Sequence, residues 1–129
     1  MNDLRQKVEA ELLSDILPFW LKYAVDGEYG GFRGQIANDL TIDPHAAKGV
    51  ILNARILWTF SKAFSVYGNP VYLEAARRAY EYLVRFFWDD EFGGVYWMVD
   101  YQGRPLDTKK RIYAQAFSVY ALAPSPRLA

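Results

Sequence analysis

The sequence contains no cysteine, which excludes disulfide bonds and thiolate zinc sites. It also carries no net charge, because 15 basic residues balance 15 acidic ones. Without a basic stripe or a polybasic segment, neither nucleic acid nor an anionic membrane is indicated as a partner. The single histidine, His45, lacks the further ligands that a zinc site takes, so no metal site is expected.

Long apolar runs are absent too. No segment reaches the length of a transmembrane helix, and no apolar core of a signal peptide follows the first residues, so a cytoplasmic protein is expected. Neither Gly-Gly pair is followed by the Gly-Lys-Ser/Thr of a phosphate-binding loop, and there is no Gly-x-Ser-x-Gly elbow of a serine hydrolase. Nucleotide cofactors are therefore not indicated.

Apolar residues are plentiful, at 52% of the 129 positions, and aromatic residues make up 17%. Their spacing predicts four helical segments. These run from Asn2 or Asp3 to about Tyr23 with a kink or restart at Pro18, from about 46 to 67, from about 70 to 87, and from about 109 to 122. The tail from Ala123 to Ala129 has two prolines and no pattern, and we expect it to be disordered.

Glycine-rich turns separate the helices. Asp26-Gly27-Glu28-Tyr29-Gly30-Gly31 aligns with Asp89-Asp90-Glu91-Phe92-Gly93-Gly94, and each copy leads into a predicted short β-hairpin, the first turning at Asn38-Asp39. The sequence thus repeats a unit of helix, glycine-turned hairpin and helix every 60 residues or so, with Asn53-Ala54-Arg55 opposite Tyr113-Ala114-Gln115.

This repeat predicts an all-α fold, an α/α toroid of which residues 1–122 supply two helix pairs. About three such units are generally needed to bury their faces. We therefore expect the chain either to be the first part of a larger toroid or to self-associate through its exposed repeat faces.

Arg55 is the principal candidate functional residue, because it interrupts an otherwise apolar helix and a guanidinium group is costly to bury without a partner. A helical wheel places it on one side with other polar residues, which are Lys48, Thr59 and Lys62. Two interpretations are open. The stripe is either a solvated face or the wall of a substrate pocket in a toroid.

Other candidates have simpler explanations. Tyr113 begins an apolar helix and, like its neighbour Gln115, fits a core position as well as a ligand contact. His45 fits a surface or capping position beside a helix start. The acidic run Asp89, Asp90 and Glu91 does not match a calcium-loop spacing and is interpreted as a solvated turn.

Five segments together resemble the N-acylglucosamine 2-epimerase family, and most closely its cellobiose 2-epimerase branch. They occur in family order over about residues 10–122 and are Ile16-Leu17-Pro18-Phe19-Trp20, Gly30-Gly31-Phe32, Asn53-Ala54-Arg55-Ile56-Leu57-Trp58-Thr59-Phe60-Ser61, Gly93-Gly94-Val95-Tyr96-Trp97 and Tyr113-Ala114-Gln115-Ala116-Phe117.

The resemblance implies a partial (α/α)6 barrel and an isomerase that exchanges glucose and mannose at the reducing end of a sugar. In this family one histidine removes the C2 proton and a second reprotonates the enediolate, without a metal or nucleotide. Arg55 then corresponds to a catalytic pocket residue and Tyr113 to a sugar-binding residue. The catalytic histidines belong to later repeats, and His45 is not one of them, so we expect no epimerase activity from these 129 residues alone.

Two alternatives remain open from the sequence. The chain is compatible with a truncated, non-enzymatic helical module that self-associates. It is also compatible with part of another sugar isomerase or glycan-active enzyme of the same fold.

Overall fold

The computed structural model describes residues 2–124 and contains two helix pairs and a small three-stranded sheet. All four predicted helical segments are present. The elements in chain order are α1 (Asn2–Glu11), α2 (Leu17–Phe19), β1 (Lys48–Gly49), α3 (Val50–Tyr67), α4 (Pro70–Tyr82), β2 (Met98–Val99), β3 (Pro105–Asp107) and α5 (Ile112–Leu122). Three π-helical turns extend the outer helices, at Leu12–Ile16, Trp20–Ala24 and Leu83–Phe87.

The first outer helix passes through Pro18 without stopping. Proline has no N–H to donate and disturbs the turn before it. Here the two π-helical turns lie immediately before and after α2, so the hydrogen-bond ladder changes its pairing on both sides of the proline. The predicted kink or restart at Pro18 is therefore a local widening of a continuous helix.

The connection between α3 and α4 follows the sequence signals closely. Gly68 adopts a left-handed conformation with φ of 70° and donates its N–H to the carbonyl of Phe64 at 2.8 Å. The side chain of Asn69 then caps α4 by accepting from the N–H of Val71, and Pro70 is its first residue. This tight turn packs the two helices against each other as neighbours.

The core lies between α3, α4 and the first outer helix. Its largest fully buried apolar side chains are Phe60, Phe87, Leu17, Leu57, Val50 and Val99. Three small residues of α4, namely Ala75, Ala76 and Ala79, are also buried and allow α4 to approach α3 closely. α5 packs beside α3, so the two inner helices are adjacent.

The hairpins differ from the prediction in part. The second is confirmed, with β2 and β3 joined through a turn from Asp100 to Gly103. The first is reduced to two isolated bridges. Val25 to Phe32 encloses the glycine-rich turn, and Ile36 to Ile42 encloses the predicted turn at Asn38-Asp39. The second helical segment also starts later than predicted, because β1 pairs with β2 before α3 begins.

Two further predictions concern the ends of the chain and its surroundings. The predicted disordered tail lies, from residue 125 onward, outside the described residues. Over residues 2–124, the helices are too short or too polar to cross a bilayer.

Candidate functional site

Each glycine-rich turn is organised by a buried aspartate. In the first turn, one carboxylate oxygen of Asp26 accepts the backbone N–H groups of Glu28 and Tyr29 at 3.0 and 2.8 Å. The other oxygen accepts the ammonium group of Lys48 at 2.9 Å. Burial by itself raises the pKa of Asp26, but these hydrogen bonds outweigh it, so the pKa lies below its usual value.

The second turn repeats this arrangement atom for atom. Asp89 accepts the N–H groups of Glu91 and Phe92 at 2.9 and 3.1 Å, and Lys110 donates to its other oxygen at 2.6 Å. The hydrogen bond from Lys110 is the main reason why the pKa of Asp89 is lowered to about 2. Asp89 is therefore the buried anchor of its turn, and the interpretation of this residue as part of a solvated turn is wrong.

The two lysines fix where the inner helices begin. α3 starts two residues after Lys48, and α5 starts two residues after Lys110. Counting from each lysine, Asn53 corresponds to Gln115, and Arg55 corresponds to Phe117. The structural repeat is thus shifted by two residues from the sequence alignment, which had placed Arg55 opposite Gln115.

Lys48 does not lie in the predicted polar stripe. Its side chain is buried and turns back to Asp26 and the carbonyl of Gly30, instead of extending along the face of α3 that carries Arg55. The lysine therefore supports the fold beneath the candidate site.

Arg55 projects from the exposed side of α3, next to α5. Its guanidinium carbon lies 5.5 Å from the centre of the Phe117 ring, a cation–π contact. Within the described residues, no carboxylate or other acceptor binds this guanidinium group. The Phe117 ring thus holds the positive charge in place. The N–H groups of the guanidinium make no hydrogen bond to the described residues.

A depression of about 270 Å³ lies beside this group, and we call it the Arg55 depression. Its walls are Arg55, Trp58, Thr59, Phe117 and Tyr120. The rings of Trp58 and Tyr120 stack at 5.8 Å with only 13° between their planes. Flat aromatic walls next to a single cation suit a polar ligand that has apolar faces, as a sugar does.

Tyr113 stands one turn before Phe117 on α5, and the two rings are 5.5 Å apart. The structure thus connects the two predicted site residues in a row, in which Phe117 separates Arg55 from Tyr113. The side chain of Tyr113 is 55% exposed, so it is not a core residue. Gln115 does not face this row, because its amide binds the backbone N–H and carbonyl of Val95.

Phe117 and Tyr120 line the Arg55 depression and were not predicted as candidates. Both lie on the face of α5 that Tyr113 begins, at positions four and seven residues further on. That spacing was visible in the sequence. Which face of α5 borders Arg55 was not, because it depends on how α5 packs against α3.

His45 is not among the residues that line the Arg55 depression. Its ring packs on Tyr101 at 4.3 Å, and its backbone N–H donates to Asp43. This position agrees with the surface interpretation. Among residues 2–124, no group of three or more histidine, cysteine or acidic side chains is arranged to hold a metal ion.

Curated proteins similar to this chain are sugar epimerases. The chain is 52% identical over 120 residues to the cellobiose 2-epimerase of Bacteroides fragilis, which covers 93% of the chain and 31% of that enzyme. It is 46% identical over 116 residues to the cellobiose 2-epimerase of Eubacterium cellulosolvens, covering 90% of the chain and 28% of that enzyme. The chain therefore spans just under a third of the length of the relatives that it matches.

Solved structures of a sugar epimerase and a sugar isomerase also superpose on this chain. The cellobiose 2-epimerase of Bacillus thermoamylovorans superposes with a TM-score of 0.94 at 44% identity, covering 98% of this chain and 32% of that one. A D-mannose isomerase superposes with a TM-score of 0.75 at 25% identity, covering 84% and 27%. The cellobiose 2-epimerases are (α/α)6 barrels, and the predicted partial toroid is confirmed. Residues 30–127 match the N-acylglucosamine 2-epimerase (GlcNAc 2-epimerase) family, to which this chain belongs.

Proposed function

We propose that this chain is the N-terminal part of a sugar 2-epimerase that acts, when its barrel is complete, on the reducing-end glucose of a disaccharide such as cellobiose. The observation that carries the proposal is the Arg55 guanidinium at the edge of an aromatic depression, where no acceptor from residues 2–124 binds it. The cellobiose 2-epimerases among its relatives supply the substrate class.

The chemistry gives Arg55 a defined role. Removing a proton next to a carbonyl group develops negative charge on the carbonyl oxygen. A fixed cation directed at that oxygen stabilises the transition state more than the substrate, which is the condition for catalysis. Tyr113 orients the sugar through its hydroxyl group, and the aromatic walls bind the apolar ring faces.

The proton transfers themselves need bases that titrate near neutral pH. The family resemblance assigns them to histidines of later repeats, so Arg55 and Tyr113 form one side of a pocket. The 129-residue chain alone is accordingly expected to be inactive. Turnover of cellobiose by the purified chain would contradict this.

A chimera tests the proposal directly. Residues 1–122 replace the matched segment of the Bacteroides fragilis enzyme, and conversion of cellobiose is followed by chromatography. The chimera is expected to epimerise cellobiose, and Arg55→Ala to lower kcat by about 10²- to 10³-fold, the usual loss for one oxyanion-stabilising donor. Arg77→Ala on α4 is the matched control and should change kcat less than threefold.

The D-mannose isomerase among the structural neighbours supports a second candidate, isomerisation of a monosaccharide on the same scaffold. The same chimera separates the two. Activity on D-mannose without activity on cellobiose would favour the isomerase, and an active Arg55→Ala chimera would reject the role of Arg55 in either reaction.

A further inference from the structure

The first glycine-rich turn is covered by the outer helix of the next pair. From α4, Arg78 donates to the backbone carbonyls of Asp26 and Gly31 at 3.2 and 3.4 Å. The ring of Tyr82, one helical turn further on, lies against Gly31 and 5.0 Å from the ammonium group of Lys48. This cover shields the two ends of the turn, where Asp26 and Gly31 are buried, and the Lys48 side chain is only 5% exposed.

The second turn has the same backbone but no such cover. Its carbonyls of Asp89 and Gly94 accept the N–H groups of Gly93 and Asp89, just as their counterparts do in the first turn. Over the described part of the chain, no side chain from another element donates to either carbonyl. The Lys110 side chain is correspondingly 31% exposed.

An apolar groove of about 410 Å³ runs from this turn along α5, and we call it the α5 groove. Trp88 and Val119 in its walls are 45% and 69% exposed. Ser118 also lines the groove, is 4% exposed, and has a hydroxyl group without a hydrogen-bond partner in the described chain. Its other main walls are Leu83, Val84 and Val95.

The repeat shows what covers such a groove. Counted from the two lysines, Ser118 and Val119 correspond to Ile56 and Leu57 of α3, which are 4% and 0% exposed. On α3, Asn53 near these residues donates to the carbonyl of Ala79 in α4. The α5 groove therefore corresponds to a face of α3. On α3 this face is buried in the core beside an outer helix.

We propose that the α5 groove docks an amphipathic outer helix that supplies the third helix pair of the toroid, and that a basic side chain of this helix binds the carbonyls of Asp89 and Gly94. The proposal rests on the proposed function, because its occupant is the part of an epimerase barrel that this chain does not represent. It adds the docking residues and the charge of the partner.

A second copy of the chain is the wrong partner for this groove. Arg78, which covers the first turn, lies eleven residues before Asp89, the aspartate of the second turn. The corresponding position in the first outer helix lies eleven residues before Asp26 and is Asp15. A second copy docked through its own first outer helix would direct the Asp15 carboxylate at two carbonyl oxygens, which is repulsive. Charge complementarity therefore selects a different helix.

The test uses the full 129-residue chain and, as its probe, the portion of the Bacteroides fragilis cellobiose 2-epimerase outside the 120 matched residues. Titration calorimetry measures their association. Val119→Asp is expected to weaken binding at least tenfold. Val66→Asp is the matched control, since Val66 is 71% exposed on α3 and lines none of these depressions, and it should change the affinity less than threefold.

Association that is lost with Val119→Asp supports the proposal, and a structure of the complex should show an arginine or lysine at the two carbonyls. Equal effects of both substitutions, or an acidic side chain at the carbonyls, would overturn it. The proposal would also be overturned if the chain alone formed a trimer and Val119→Asp dissociated it. A complex that forms but does not epimerise cellobiose leaves the docking proposal standing and counts against the proposed function alone.

Discussion

Lys48 and Asp26, 22 residues apart in the chain, form a buried ion pair in which the ammonium group donates to the carboxylate at 2.9 Å. Their side chains are 5% and 0% exposed. Lys110 and Asp89 form the corresponding pair of the second repeat at 2.6 Å, with 31% and 8% exposure. The same contact thus occurs once in the interior and once at an uncovered face, which allows the effect of burial to be measured.

Lys48→Met is expected to destabilise the chain by about 3 kcal/mol, because the buried Asp26 carboxylate loses its closest cation and keeps Arg33 at 3.4 Å. Lys110→Met should cost clearly less, since solvent reaches the remaining carboxylate. Urea unfolding followed by circular dichroism gives both values. Adding Asp26→Asn to Lys48→Met should restore part of the loss, and an equal loss for the two lysines would refute the argument from burial.

Stability should fall steeply on acidification between about pH 4 and pH 2. The folded pKa of Asp89 is about 2, below the value of about 3.9 for an unfolded aspartate, so the unfolded chain binds more protons in this range. The stabilisation from Asp89 is complete above pH 4 and is lost as the pH falls through its folded pKa. Asp26, whose pKa is also lowered, contributes in the same direction.

Thermal unfolding measured at several pH values between 6 and 2 tests this. Asp89→Asn should be less stable than the unmodified chain at pH 6 and should lose less stability on acidification. If the two chains respond to acid with the same slope, Asp89 is not responsible for the pH dependence.

Gly31 is needed both for its backbone conformation and for the space beside it. Its φ is +65°, and a Cβ atom at this position would lie 2.6 Å from a ring carbon of Tyr82. Gly31→Ala should therefore destabilise the chain by about 2 kcal/mol or more. Gly27 in the same turn has nothing within 4 Å of its Cβ position, so Gly27→Ala is the matched control with a small effect. Similar midpoints for both variants in urea would contradict the packing argument.

Much of the fold was accessible from the sequence because its signals are local. Gly68, Asn69 and Pro70 end one helix and begin the next wherever they occur in this order, and the confirmed turn needs no knowledge of the tertiary structure. The two similar turns from Asp26 to Gly31 and from Asp89 to Gly94 likewise indicated the repeat. What the sequence could not show is that β1 pairs with β2, since this contact joins two different repeats.

The candidate site was predictable only to the level of single residues. Arg55 stood out because its charge conflicts with an apolar helix. Its contact with Phe117, in contrast, depends on the relative rotation of α3 and α5. The two-residue shift of the repeat had the same cause, because the lysine-to-aspartate contacts that define the register are long-range.

The last prediction concerns Tyr113 in the active chimera. Its ring packs on Phe117 and its side chain is 55% exposed, and under the proposed function its hydroxyl group binds the sugar. Tyr113→Phe keeps the ring contact and removes one hydrogen bond, for which about 1.4 kcal/mol, or a tenfold lower kcat/KM, is expected. Tyr113→Ala should lower kcat/KM further, because it also frees the Phe117 ring that holds Arg55.

Steady-state kinetics with cellobiose measure these effects. Tyr67→Phe is the control, since the Tyr67 hydroxyl group donates to Glu9 on α1 and should not affect kcat/KM. Thermal unfolding of Tyr113→Phe should match that of the unmodified chimera, because an exposed hydroxyl group contributes little to stability. Unchanged kcat/KM in Tyr113→Phe would remove the hydroxyl group from the sugar site, and a loss in Tyr113→Ala alone would then leave the ring of Tyr113 as a support for Phe117 and Arg55.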